Sequence, residues 1–308
     1  MSTERRFRVA FRLGLSTVVV MFGLMVLGSI VRTTGSGLAC PDWPLCHGQL
    51  IPPMRFDVLI EWSHRLVALI VSLQLAALSG WVVLHRELRA RLGGLVALAL
   101  GLLAAQILLG ALTVWKLLDP GIVGGHLAVA LMLFSTVLTL TLAAGAEADP
   151  VPAAGHRPPG LLPLAALATI ATFGQAVLGG MVSTHHAGLA CPDWPTCNGE
   201  WLPPLVGGVA LQVFHRFAAY ALVILVVIAA MRAHSAPDPA IRAGAVLASS
   251  LVLAQVGLGV CNVLLGTPTW LSALHLATAI TILAMLVTVT FRTAALPAAA
   301  TRLEPAPA

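Results

Sequence analysis

The chain has 308 residues, 58% of them hydrophobic and only 9% charged, with a mean hydropathy of +0.94. No soluble domain of this length could cover that much apolar surface, so the composition indicates a polytopic membrane protein. A net charge of +5 would suit nucleic-acid binding only if the cations shared one surface, and they fall instead in short segments between apolar runs, as membrane topology requires.

Windows of about 20 apolar residues predict eight transmembrane helices, near 11–31, 59–84, 93–115, 122–144, 161–182, 209–231, 243–265 and 270–291. The opening MSTERRFR resembles a signal n-region, but the run behind it is long enough to span and lacks an A-x-A-like cleavage site, which reads as a retained first helix. The first end of the chain holds Arg5, Arg6, Arg8 and Arg12, and Arg86, Arg89, Arg91, Arg157, Arg232, Arg242, Arg292 and Arg302 lie on the same side. The opposite side carries only Arg32, Arg55 and Lys116. The positive-inside rule therefore puts both termini in the cytoplasm and the long loops 32–58 and 183–208 outside.

The two halves repeat. RTTGSGLACPDWPLCHGQLIPP at 32–53 aligns without a gap with STHHAGLACPDWPTCNGEWLPP at 183–204, Gln106-x-x-x-Gly110 returns as Gln255-x-x-x-Gly259, and His126-Leu127-Ala128 returns as His275-Leu276-Ala277. Four spans per copy is an even number, so both copies share one orientation. The fold class is thus all-α, with eight transmembrane helices forming two pseudo-symmetric four-helix bundles: an N-terminal half at 1–144, a cytoplasmic linker at 145–160 (AGAEADPVPAAGHRPP) and a C-terminal half at 161–308.

Ionisable groups at membrane depth are expensive and usually mark a site. Four of the ten histidines fall inside predicted spans: His64 and His126 in the first half, His215 and His275 in the second. Each pair lies at one depth on two helices, which suits axial coordination of a porphyrin iron held in a bundle core. Interhelical hydrogen bonding is the plain alternative for any single one, and a bare zinc or copper ion would want more ligands at that level. Arg65 and Arg216 follow His64 and His215 directly and could reach haem propionates or snorkel to the headgroups.

Glu61 precedes His64 by three residues and shares its helical face, whereas the matching residue of the second half is Gln212. A carboxylate beside a porphyrin edge suits proton transfer; pairing with Arg32 or Arg65 is its structural alternative. The asymmetry assigns chemistry to the first half and electron carriage or support to the second. Cys40 and Cys46 flank PDWPL, and Cys191 and Cys197 flank PDWPT, in a compartment that permits disulfides. Each pair reads either as a structural ring closure or as a redox-active thiol pair. Cys261, inside a span, reads as a packing residue.

The run RTTGSGLACPDWPLCHG, followed by EWSHR, then GGHL and a degenerate second copy, resembles the haem A synthase family, the haem O oxidising membrane proteins of cytochrome oxidase assembly, over about residues 10–292. The resemblance implies an inner-membrane oxidoreductase that converts the C8 methyl group of haem O to a formyl group by successive hydroxylations. It further implies that His64 and His126 hold the substrate haem O beside Glu61, that His215 and His275 hold haem b as cofactor, and that Cys40 and Cys46 match the family's first-loop pair. The second full CPDWP copy, with Cys191 and Cys197, departs from many members. Implied partners are membrane lipid, a haem O synthase and cytochrome oxidase subunit I or assembly factors, with no nucleic acid; the sequence leaves homo-oligomerisation open. Two other readings are a dihaem b-type electron-transfer protein and a haem carrier.

Overall fold

A computed structural model describes residues 1–53, 55–150 and 155–298. These form eight long helices: α1 (Thr3–Thr33), α2 (Phe56–Leu84), α3 (Arg86–Trp115), α4 (Pro120–Ala148), α5 (Leu161–Thr184), α6 (Gly207–Ala233), α7 (Pro239–Leu264) and α8 (Thr269–Ala295). All eight are long and apolar enough to cross a membrane. Helices suit that environment because each satisfies its own backbone polar groups. Among the described residues only isolated bridges have strand-like pairing, one inside each cysteine loop and one joining Arg157 to Ala298.

Most helices outrun the apolar windows that predict them, for local reasons. The first starts at Thr3 rather than residue 11, with the Ser2 hydroxyl capping the Arg5 N–H. The α3 helix begins at Arg86, because RELRARL consists of good helix formers that carry the helix past the apolar layer. Asp119 and Asp238 cap α4 and α7, each followed by Pro at the first helical position. The expected linker is corrected at its start: 145–148 continue α4, and only the residues beyond can connect the halves. Of that connector, residues 151–154 lie outside the described residues.

Each half packs as a ring. In the first, α1 meets α2 and α4, and α3 meets the same two; in the second, α5 meets α6 and α8, and α7 meets the same two. The rings join through α1 with α8, and through α4 with both α5 and α8. Phe134, Leu75, Leu78, Leu131 and Leu140 fill the first half's core, and Ile280 and Leu283 of α8 extend that core across the seam. Since lipid is as apolar as leucine, close packing rather than water exclusion holds such helices together.

Glycines key the seam. A Cβ at Gly124 of α4 would sit 2.6 Å from the Met181 sulfur of α5, and one at Gly180 of α5 would overlap the Leu127 side chain of α4. Each helix therefore carries a hole and a knob that match the other's. The positions aligned with these holes are Ala273 and Ser29, so the second contact line, α1 with α8, lacks both. At the end that holds the N-terminus, ion pairs Arg6–Glu87 (3.1 Å), Arg8–Asp149 (2.6 Å), Arg91–Glu147 (3.6 Å) and Arg292–Asp238 (2.8 Å) tie helix ends together. Exposed pairs of this kind each contribute little.

Candidate functional site

The four intramembrane histidines project from alternate helices of each ring. His64 lies eight residues into α2 and His126 six into α4; His215 lies eight into α6 and His275 six into α8. At 1.5 Å per residue these are depths of about 12 and 9 Å, so each pair shares a level to within roughly one residue pair. Helices α2 and α4 stand opposite each other in their ring, as do α6 and α8. The two histidines of a pair thus stand on opposite helices of one ring.

Each imidazole also has a glycine on a neighbouring helix behind it. A Cβ would meet the Cε1 of His64 at 3.1 Å from Gly28, that of His126 at 3.4 Å from Gly110, that of His215 at 2.9 Å from Gly179, and that of His275 at 3.1 Å from Gly259. Each imidazole edge therefore lies close against a glycine, most tightly at Gly179, where an added Cβ would force a shift. The Nδ1 atoms of His64, His126 and His275 are buried without a hydrogen-bond partner, which is costly for a purely structural histidine. Below His215, α5 and α6 leave a cavity of about 330 Å³ lined by Gly174, Gln175, Leu178, Leu222 and Leu225. Two imidazoles on opposite helices of one ring, with Nδ1 unpartnered on three of the four, are donors that would suit a porphyrin iron. Among the described residues no three His, Cys, Asp or Glu side chains converge on one point, so a bare ion would lack donors.

Glutamines steady the rings. The amide nitrogen of Gln106 lies 3.3 Å from His126 Nε2, and that of Gln255 donates to the His275 carbonyl at 2.8 Å, in line with the interhelical role their repeat suggests. Gln175 was not visible from the repeat, because its partner position is Leu24. Its amide nitrogen bonds the His215 carbonyl at 2.9 Å and lies 3.0 Å from His215 Nδ1.

Glu61 is buried, only 4% exposed. One carboxylate oxygen accepts from Arg65 at 2.5 Å and the other from the Cys40 backbone N–H at 2.8 Å. Of the two pairings the sequence offers Glu61, the structure selects Arg65. Gln212, equally buried, donates to the Gly188 carbonyl at 3.3 Å and leaves its amide oxygen unpartnered.

The arginines beside the histidines turn to the cysteine loops. Arg65 donates to the carbonyls of Asp42 (2.6 Å), Leu45 (2.6 Å) and Cys40 (3.0 Å) as well as to Glu61. That accounts for all four of its terminal N–H groups. Arg216 donates to Thr196 (2.9 Å), Cys191 (2.8 Å) and Asp193 (3.0 Å). These loop carbonyls, rather than propionates, are the partners the structure gives them.

Both cysteine pairs are bridged, Cys40 to Cys46 and Cys191 to Cys197, and all four residues are at most 3% exposed. Burial beneath Trp62 and Val58 in one loop, and against Val209 and Val213 in the other, shields them from external thiols. Inside each ring an aspartate fastens the turn: Asp42 accepts from the His47 and Gly48 N–H groups at 2.6 and 2.7 Å, and Asp193 from Asn198 and Gly199 at 2.7 and 2.9 Å, with the Thr196 hydroxyl added. The Thr196 hydroxyl and these backbone donors hold the Asp193 carboxyl down at about 2, and backbone donors, Gly48 first, lower that of Asp42 as well. Cys261 is exposed and unbridged, which places it on the outer face of α7 rather than in the packing its sequence suggests.

Eight helices able to cross a membrane, set in two four-helix rings that each bear two histidines at membrane depth, define a polytopic membrane protein. More narrowly, the chain belongs to the COX15-CtaA family of cytochrome oxidase assembly proteins, whose profile matches residues 11–58 and 54–287. Similar proteins named "Heme A synthase" include one from Symbiobacterium thermophilum, 32% identical over 80% of this chain and 82% of the relative. Another from a Methylobacterium species (strain 4-46) is 31% identical over 92% and 91%, and one from Halalkalibacterium halodurans is 30% identical over 85% and 89%.

Proposed function

We propose that the chain is a haem A synthase of a bacterial inner membrane, a multi-pass oxidoreductase that converts the C8 methyl group of haem O to the formyl group of haem A. Two hydroxylations of that carbon, each a two-electron oxidation that draws its oxygen atom and its electron acceptor from outside the chain, followed by loss of water, give the aldehyde. In this reading His64 and His126 hold the substrate haem O, and His215 and His275 hold haem b. When bound, haem b supplies one-electron redox chemistry next to the substrate half. The arginine distribution supports cytoplasmic termini and external cysteine loops. A haem O synthase upstream and an oxidase subunit downstream would deliver substrate and take product.

The single observation that carries the reading is the contrast between the two otherwise matched sites: a buried carboxylate, Glu61, stands one turn from His64, and an amide, Gln212, takes its place by His215. Glu61 can hold or pass a proton at the porphyrin edge, while Arg65 and the Cys40 N–H fix its orientation. Pre-positioning matters because proton transfer requires hydrogen-bond reach to the reacting group. The glycine slots orient the imidazoles, and the apolar ring cores keep water from the reacting carbon.

The test is chromatography of haems extracted from cells that are supplied with haem O and express Glu61→Ala. The expected result is retained haem binding with haem A formation lowered at least about 100-fold, the scale of a lost acid or base. Undiminished haem A would remove Glu61 from the chemistry. A purified protein carrying haem O that is never altered would instead indicate a carrier.

A further inference from the structure

We propose that Arg32, with His186, is the cationic seat for a propionate of the porphyrin held by His64 and His126. The inference rests on the porphyrin-binding reading above and names a residue pair to which that reading gives no role.

Arg32 lies one turn beyond Gly28 on α1, and residues four apart share a helical face. Gly28 backs the His64 imidazole, so Arg32 overhangs the outer rim of the first cleft. Its guanidinium reaches across the seam, donating to the Ser183 carbonyl of α5 and lying 3.5 Å from His186 Nδ1. Both contacts use one terminal nitrogen. The remaining N–H groups have no carboxylate partner, and no ion pair of Arg32 exists among the described residues. A half-buried guanidinium without an anion is an open acceptor for one, and its planar fork matches a carboxylate.

Two further observations favour this seat. Arg65 and Arg216, the nearer cations in sequence, are already taken up by loop carbonyls. The backbone of His186 is left-handed (φ 52°), and its counterpart in the first loop is Gly35 (φ 69°). Histidine is one of the few side chains enriched in this conformation, so the second loop carries an imidazole where the first has none. The seat is also single, because Ser183 occupies the position that Arg32 holds in the first half.

The test uses the full chain carrying His215→Ala, so that only the first pair takes up porphyrin, titrated in detergent with iron protoporphyrin IX and with its dimethyl ester, the Soret band reporting binding. Relative to this background, Arg32→Gln should weaken the diacid about ten-fold and leave the ester unchanged. Arg32→Lys should recover part of the diacid affinity. The inference is overturned if Arg32→Gln binds the diacid as tightly as the background, or if it loses both ligands equally while still folded by circular dichroism. A further His64→Ala variant separates the two levels: if it abolishes the Soret shift while Arg32→Gln does nothing, porphyrin binding stands and the seat falls. If it too does nothing, the underlying reading fails.

Discussion

Glu61 and Gln212 occupy matching positions, yet they impose different demands on the arginine that follows. Removing Arg65 leaves a carboxylate that is 4% exposed without its cation, whereas removing Arg216 strands only neutral carbonyls and leaves Gln212 untouched. Breaking a buried ion pair costs about 3–5 kcal/mol, while losing hydrogen bonds to neutral groups costs about 1 kcal/mol apiece, less where water can replace the donor. Arg65→Met should therefore lower the thermal midpoint of the detergent-solubilised protein clearly more than Arg216→Met. Equal losses would mean that Glu61 finds water or another partner. The i to i+4 spacing of Glu61 and Arg65 was legible in the sequence. Where the guanidinium ends up was not, because its acceptors are backbone carbonyls of a loop that no periodicity describes.

Among the elements, the cysteine loops are the most locally determined. Their disulfides close small rings, and the aspartate inside each ring gathers the N–H groups of the turn. The Asp193 carboxyl sits at about 2 against an ordinary 3.8, so the charged form is favoured by folding. Its contribution to loop stability is complete above pH about 4 and fades as pH falls towards 2. Phosphine reduction of the Cys191–Cys197 bridge should thus be faster at pH 2.5 than at pH 6, after correction for the reagent. Asp193→Asn should open faster at pH 6 and lose the extra acid sensitivity; an unchanged rate in this variant would show that the bridge alone holds the loop. The helices were legible in number and order because each needs about 20 apolar residues to cross. Their ends were less so, since caps such as Asp119-Pro120 and polar extensions such as RELRARL follow local backbone chemistry rather than hydropathy. The roles of Gly28 and Gly179 are not legible in the sequence for a related reason: a slot for an imidazole is a property of two helices in contact, and a single segment does not display it.

On the scale of the molecule, the sequence repeat predicts two four-helix copies, and within each half the helices contact one another in a ring. What it could not reveal is how α4 seats against α5, because that depends on where the repeat fails. Gly124 and Gly180 have no glycine counterparts, and they are the sockets that receive Met181 and Leu127. These fix one register between α4 and α5 without help from the short connector, and the Arg32 contact to Ser183 adds a link from α1 to α5. Covalent continuity should then be dispensable. Two polypeptides, 1–150 and 155–308, co-expressed with a tag on one fragment, should find each other in the bilayer and elute together, and Gly180→Leu should leave the tagged fragment alone. Failure of the unmutated fragments to reassemble would show that tethering, rather than shape, sets their pairing.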